Sequence, residues 1–152
     1  MDSLTNPVLF YGGLHYMFSN FSAFRVVWRG RDWMTSEHAY QAAKFLEPEM
    51  QDLIAAATSA HDAKKLGRKH DDLKRPDWPE MKLSIMEEIL RAKLAQHPFI
   101  KERLLETIGR EIVEDSPKDS FWGRGPDYKG ANHLGRLWMK LRNELTLGKY
   151  ER

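Results

Sequence analysis

Residues 33–45 read WMTSEHAYQAAKF, and the fold class turns on how they are taken. Thr35 or Ser36 suits a helix N-cap, because a short hydroxyl side chain can accept from the free N–H groups of a first turn. Glu37 then falls where the helix dipole favours an anion. The alanines that follow are strong helix formers. Immediately upstream, Phe24–Trp28 and Arg31–Trp33 are aromatic and β-branched runs parted at Arg29-Gly30, a hairpin signal. A hairpin feeding directly into a helix predicts an α+β chain. Pro48 either ends this helix or begins the next.

Working outward, Val8–Tyr11 predicts a short strand closed by Gly12-Gly13, and YMFSNF (residues 16–21) a loop with buried flanks. Residues 49–69 are Ala-rich and polar, which predicts two short helices broken near Thr58-Ser59, with Ser59 as a cap. The charged loop HDDLKRPDW ends at Trp78. Pro79 then sits in the first turn of a helix whose Met81, Ile85, Met86, Ile89, Leu90 and Leu94 recur at helical spacing. Pro98 opens a helix through Ile108, closed by Gly109. Glu111–Glu114 predicts a strand, and Phe121-Trp122 a further one. Asn132 is placed to cap a last helix with Leu134, Leu137, Trp138, Leu141 and Leu145 on its apolar face. The expectation is one domain over residues 1–152, α+β and mainly helical, with a small β-sheet.

The bulk chemistry narrows the function classes. The chain has 152 residues, a formal net charge of +2, and 41% hydrophobic and 30% charged residues. Such a balance does not announce a nucleic-acid or membrane surface. Without a cysteine, disulfides, thiolate metal sites and a cysteine nucleophile are excluded. The N-terminal MDSLTNPVLFYGG lacks a signal-peptide pattern, and no stretch nears the roughly 18 apolar residues of a membrane span, so a cytoplasmic protein is expected. H-E-x-x-H, G-x-S-x-G and P-loop spacings are absent.

What remains is carboxylates, amides, cations and aromatics. On a helix from Ser36, residues Glu37, Gln41 and Lys44 fall on one face. A carboxylate there can serve as base, nucleophile or partner of a cationic transition state, and Lys44 can meet a phosphate. The competing reading is a solvated Glu–Lys helix face, but Trp33, Tyr40, the alanines and Phe45 leave little exposed surface around it. His38 alone reads as a hydrogen-bonded structural histidine. A second concentration is EDSPKDSFWGRGPDYKGANHLGR, residues 114–136. Its glycines permit close backbone approach, and a helix N-terminus at Asn132 would offer N–H groups to an anion. The ordinary alternative is a surface loop with a cap. Trp33, Trp78 and Trp122 lie near element ends, where an indole can stack on a heterocyclic base. The set suits a phosphorylated ribosyl or nucleotide compound.

Taken together, FYGGLHYMFSNF, WMTSEHAYQAAKF, AKKLGR and DSFWGRGPDYKGANHLGRLWMKLRNEL resemble the YbiA-like or NADAR family from about Phe10 to Leu145. The resemblance implies an N-glycosidase fold acting on ribosyl compounds. Family members hydrolyse the N-glycosidic bond of early riboflavin-pathway intermediates and release ribose 5-phosphate, and others process ADP-ribose, including adducts on guanine bases. It implies neither metal nor cofactor. It makes Glu37 the helix carboxylate of an E-H-x-x-Q-x-x-K-F pattern, with Asp127 sharing acid–base work. Lys44 and Arg68 would hold phosphate, Asn20 and Asn132 ribose or base, and Trp78 and Trp122 the leaving base. Phe21, Trp33, Gln41 and Gly123 complete the expected substrate-binding set. Two rival functions stay open: an ADP-ribosyl-guanine glycohydrolase using the basic run Arg68, Lys69, Lys74, Arg75 on modified nucleic acid, and a non-catalytic module binding ADP-ribose or NAD. Oligomeric state and stereochemical course are left open by the sequence.

Overall fold

Arg29 and Gly30 both take positive φ, 49° and 77°, the backbone that a two-residue hairpin turn of this hand requires. In the computed structural model, which describes residues 6–150 and side chains through residue 148, this turn joins β2 (Val26–Trp28) to β3 (Arg31–Trp33). The pair is antiparallel with Val26 opposite Trp33. Its outward N–H and C=O at Val27 are not left open, since the Gln96 side chain bonds both at 2.8 Å. The expected hairpin is therefore present. The chain divides into two compact units, one formed by Asn20–Gln96 and the other by the residues up to Ser19 and from His97 onward.

In the first unit, α1 (Ser36–Ala43) is buried along its whole length. It packs against α2 (Pro48–Ala55), α3 (Ala60–Lys69), α4 (Trp78–Gln96) and β2. Small residues permit this. A Cβ built at Gly67 of α3 would collide with the Gln41 side chain of α1. The expected boundaries hold: Thr35 and Ser59 accept from His38 N–H and Asp62 N–H as N-caps, and Pro48 sits in the first turn of α2. The loop before α4 contains one 3₁₀ turn, Asp71–Leu73. On α4, Ile85, Met86, Ile89 and Leu90 are buried as expected, each side chain stabilising the fold by about 1.5–3 kcal/mol. Met81 and Leu94 are half-buried instead. The same stripe continues through Lys93, whose side chain is fully buried.

In the other unit, β1 (Val8–Phe10) pairs in parallel with β4 (Ile112–Glu114), so the sheet is two separate two-stranded ladders. A 3₁₀ segment, Gly13–Phe18, follows β1. Its buried Phe18 packs against Phe10 and against Trp138 of α6 (His133–Tyr150), and Trp138 Nε1 donates to the Phe18 carbonyl at 3.0 Å. Leu134 and Leu141 of α6 are buried, while Leu137 and Leu145 are half-buried. Helix α5 (Pro98–Leu105) stops short of the expected Ile108. The chain turns through Gly109 at φ 84°, and the buried Arg142 guanidinium takes the carbonyls of Thr107 and Arg110.

Phe121-Trp122 is not a strand. Both N–H groups donate to Asp119 Oδ1, at 2.9 and 2.8 Å, and both carbonyls accept from the first turn of α6, which leaves nothing for a ladder. The architecture is α+β and mainly helical, as expected.

Candidate active site

The first turn of α1 is fixed by a short relay. Thr35 Oγ1 accepts from His38 N–H at 3.2 Å and lies 2.8 Å from His38 Nδ1. His38 Nε2 lies 3.0 Å from the Ala57 carbonyl, which can only accept. The network thus assigns the proton to Nε2, with Nδ1 accepting from the threonine hydroxyl. Burial pushes the His38 pKa down and keeps the ring neutral, outweighing the pull of the Ala57 carbonyl. His38 is structural, as its sequence context suggested.

Glu37 follows Ser36 in that turn. Its backbone N–H donates to the Asn20 carbonyl at 3.1 Å, and its Oε2 accepts from Gln41 Nε2 at 2.6 Å. Glu37 is 6% exposed. Three polar atoms of residues Asn20, Ser36 and Gln41 are buried with no partner among the described residues: Asn20 Oδ1, Ser36 Oγ and Gln41 Oε1. Asn20 Nδ2 makes only a weak bond to Met86 Sδ, at 3.3 Å. An orphaned buried polar group costs about 1–3 kcal/mol, and two of these three residues are tied to Glu37, Gln41 through its side-chain amide and Asn20 through its backbone carbonyl.

Lys44, at the C-terminal end of α1, is half-buried with Nζ 5.8 Å from the Tyr40 ring centre. Burial pushes its pKa down, against the pull of Glu37 and Asp71; Lys74 and Arg68 push it the same way as burial. Glu37 and Arg68 are thereby each within electrostatic reach of Lys44. Trp78 is buried, its ring centre 5.2 Å from that of Tyr40. Phe21 stands at the α3 side, 4.7 Å from His61 with Lys64 Nζ 5.7 Å from its ring. Trp33 does not join them. Its Nε1 donates to the Trp28 carbonyl at 3.3 Å, and it lines a separate cleft with Trp28.

Trp122, Gly123, Asp127 and Asn132 belong to the other unit. Trp122 is half-buried against Phe121 and His133, with ring centres 4.8 and 6.4 Å away. Gly123 is where the loop crosses β4, since a Cβ there would lie 2.7 Å from the Glu114 carbonyl oxygen. Asp127 is exposed, and its Oδ1 accepts from Lys129 N–H at 3.0 Å. Asn132 is not a helix cap. At φ 53° its Oδ1 accepts from Glu114 N–H and its Nδ2 donates to the Ile112 carbonyl, both at 2.9 Å. At the start of α6 the N–H groups of Asn132, His133 and Leu134 donate to the carbonyls of Gly123, Phe121 and Trp122 and so are not available to an anion.

Sequence reasoning missed Ser36, Tyr40 and Gly67 as members of this neighbourhood. Gly67 alone carried a local signal, a glycine inside a helical pattern. Among the described residues, no group of three or more His, Asp or Glu side chains is arranged to hold a metal ion. No helix among them is long and apolar enough to cross a membrane.

This buried carboxylate in an amide-lined setting, carried on an α+β frame, belongs to a defined class. Residues 9–146 match the NADAR domain, and the chain is a member of that family. It is 39% identical over 132 residues to N-glycosidase YbiA of Escherichia coli (strain K12), covering 87% of this chain and 82% of that protein. It is 36% identical over 144 residues to riboflavin biosynthesis protein VVA0006 of Vibrio vulnificus (strain YJ016), covering 93% of this chain and 39% of that one. The NMR structure of the E. coli protein YbiA superposes with a TM-score of 0.86 at 35% identity, covering 100% of this chain and 91% of the other.

Proposed function

We propose that this protein is an N-glycosidase that hydrolyses the C1′–N bond of a phosphorylated ribosyl compound of the riboflavin-intermediate type. The observation that carries the reading is Glu37, a buried carboxylate in the first turn of a helix, held by the Gln41 amide. The enzyme class is that of the N-glycosidase relative, and the substrate class follows the riboflavin biosynthesis relative. The reading takes the family-matched residues 9–146 as one functional domain working in the cytoplasm.

In the reaction the C1′–N bond breaks with its electron pair leaving on nitrogen, and positive charge develops on the sugar. Glu37 stabilises that charge and takes a proton from the attacking water as the new C1′–O bond forms. Asn20 and Ser36 hold ribose hydroxyls, and Gln41, its amide packed against Gly67 and bonded to Glu37, positions the carboxylate. Lys44 and Arg68 hold the phosphate, and Trp78 stacks on the base with Phe21 beside it. Trp122 and Asp127 are assigned base stacking and protonation of the leaving nitrogen on the family resemblance alone. Gly123 and Asn132 keep their loop in shape, and Trp33 supports the hairpin.

The test incubates the protein with riboflavin-pathway ribosyl phosphates, ADP-ribosylated single-stranded DNA and ADP-ribose, and identifies products by mass spectrometry. Release of ribose 5-phosphate from the first group, lost in Glu37→Gln with the fold retained, is the expected result. Turnover of the DNA adduct alone, or tight ADP-ribose binding without turnover, would replace this reading with one of its rivals.

A further inference from the structure

A cleft of about 210 Å3 lies beside the hairpin, walled by Trp28, Trp33, Phe45 and Leu46 and by Ala42 and Ala43 of α1. Only Trp33 is shared with the residues expected to bind substrate. Three arginines, Arg29, Arg31 and Arg75, complete the lining, and no carboxylate belongs to it.

The polar atoms of the cleft are overwhelmingly donors. Trp28 is 7% exposed, and its Nε1 has no hydrogen-bond partner among the described residues, whereas Trp33 Nε1 has one. Arg31 lies over the Trp33 ring at 5.1 Å and spends only Nη1 on Asp52, at 2.7 Å. Its Nε and Nη2 retain donor capacity. Arg75 uses Nε and Nη2 on Asp77 and keeps Nη1. Arg29 lies over Trp28 at 4.5 Å and pairs with Glu88. The bridges of Arg29 and Arg31 join side chains that are 40–68% exposed, and such pairs are weak enough to share a guanidinium with a ligand. The side-chain amide of Gln51 donates inward to the Phe45 carbonyl. Flat apolar walls and spare guanidinium donors together select a small planar anion.

We propose that this hairpin cleft is a second ligand site, separate from Glu37, that takes a small aromatic carboxylate: the ring lies among Trp28, Trp33 and Phe45, and the carboxylate accepts from Arg31 and Arg75. This inference does not depend on the glycosidase reading, because it concerns different atoms and is read without turnover.

The test follows the indole N–H signals of the five tryptophans in ¹⁵N-labelled full-length protein while benzoate is added. Trp28→Phe assigns the Trp28 signal. A saturable shift of that signal is expected, with affinity weakened at least five-fold in Arg31→Gln and in Arg75→Gln, and with the Trp122 and Trp138 indole signals unchanged in both variants. Benzamide, the uncharged isostere, and inorganic phosphate should leave the Trp28 signal in place at the same concentrations. The proposal is overturned by shifts confined to Trp78 or Trp122, by no saturable shift, by equal affinity in both arginine variants, or by benzamide or phosphate acting as well as benzoate.

Discussion

Gln41 donates to Glu37 across one turn of α1, at 2.6 Å, while Gly67 of α3 presses on the other side of the same amide. The carboxylate is therefore held by a residue that is itself held by the absence of a side chain. Gly67→Ala should displace Gln41 from Glu37. The expected outcome is a loss in kcat of roughly ten-fold or more, since misplacing a positioning group by about 1 Å is expensive. Steady-state kinetics beside a thermal melt check it. A full collapse of the fold would show instead that Gly67 serves packing alone.

Ser36 Oγ is buried and orphaned. Replacing a buried polar group that has no partner by an apolar one is close to neutral or stabilising. Ser36→Ala should leave the melting temperature unchanged or slightly raised. If the hydroxyl meets the substrate, KM should rise several-fold. An unchanged KM would remove Ser36 from the site.

Much of this frame was legible from local chemistry. Turn, cap and breaker signals at Arg29-Gly30, Thr35, Pro48 and Ser59 act over a few residues, and each appears where the sequence places it. The failures share another cause. Phe121-Trp122 has strand-forming residues, but Asp119 and the first turn of α6 claim its backbone. Asn132 has the residue type of a cap, yet β4, some twenty residues earlier in sequence, takes both ends of its amide. In the site, the Glu37–Gln41 spacing is readable because a helix fixes it. That Trp33 turns toward Trp28 is not, because a strand residue near a helix start can serve either neighbour.

Lys93 sits on the apolar stripe of α4 with Nζ 3.1 Å from Ser22 Oγ and 5.6 Å from the centre of the Phe24 ring. Burial pushes its pKa from 10.5 down to about 7. Below about pH 7 both folded and unfolded chains carry the charge, and the full burial penalty applies. Between about 7 and 10.5 the unfolded chain holds the proton that the folded chain has released, so this group makes stability rise with pH. Lys93→Met should therefore be more stable than the parent by a few kcal/mol at pH 6, with the advantage shrinking toward pH 10. Urea unfolding at several pH values checks the slope. A difference that does not change with pH would mean that Lys93 is solvated in the folded state.

Asn132 combines an αL backbone with two bonds to β4, and these can be separated by substitution. Asn132→Gly relieves the backbone but loses both bonds. Asn132→Ala loses the bonds and adds about 1–2 kcal/mol of left-handed strain. Asn132→Asp keeps the acceptor for Glu114 N–H and tolerates αL, but sets a carboxylate oxygen against the Ile112 carbonyl. Each lost hydrogen bond is worth about 1 kcal/mol, and more where a buried partner is stranded. The expected order of melting temperatures is parent, then glycine, then alanine. Asp should fall below the parent and recover on lowering the pH through its own titration, because the protonated acid can again donate to Ile112. Thermal melts at pH 4 and pH 7 distinguish these cases, and an aspartate variant indifferent to pH would overturn the assignment of Nδ2 to the Ile112 carbonyl.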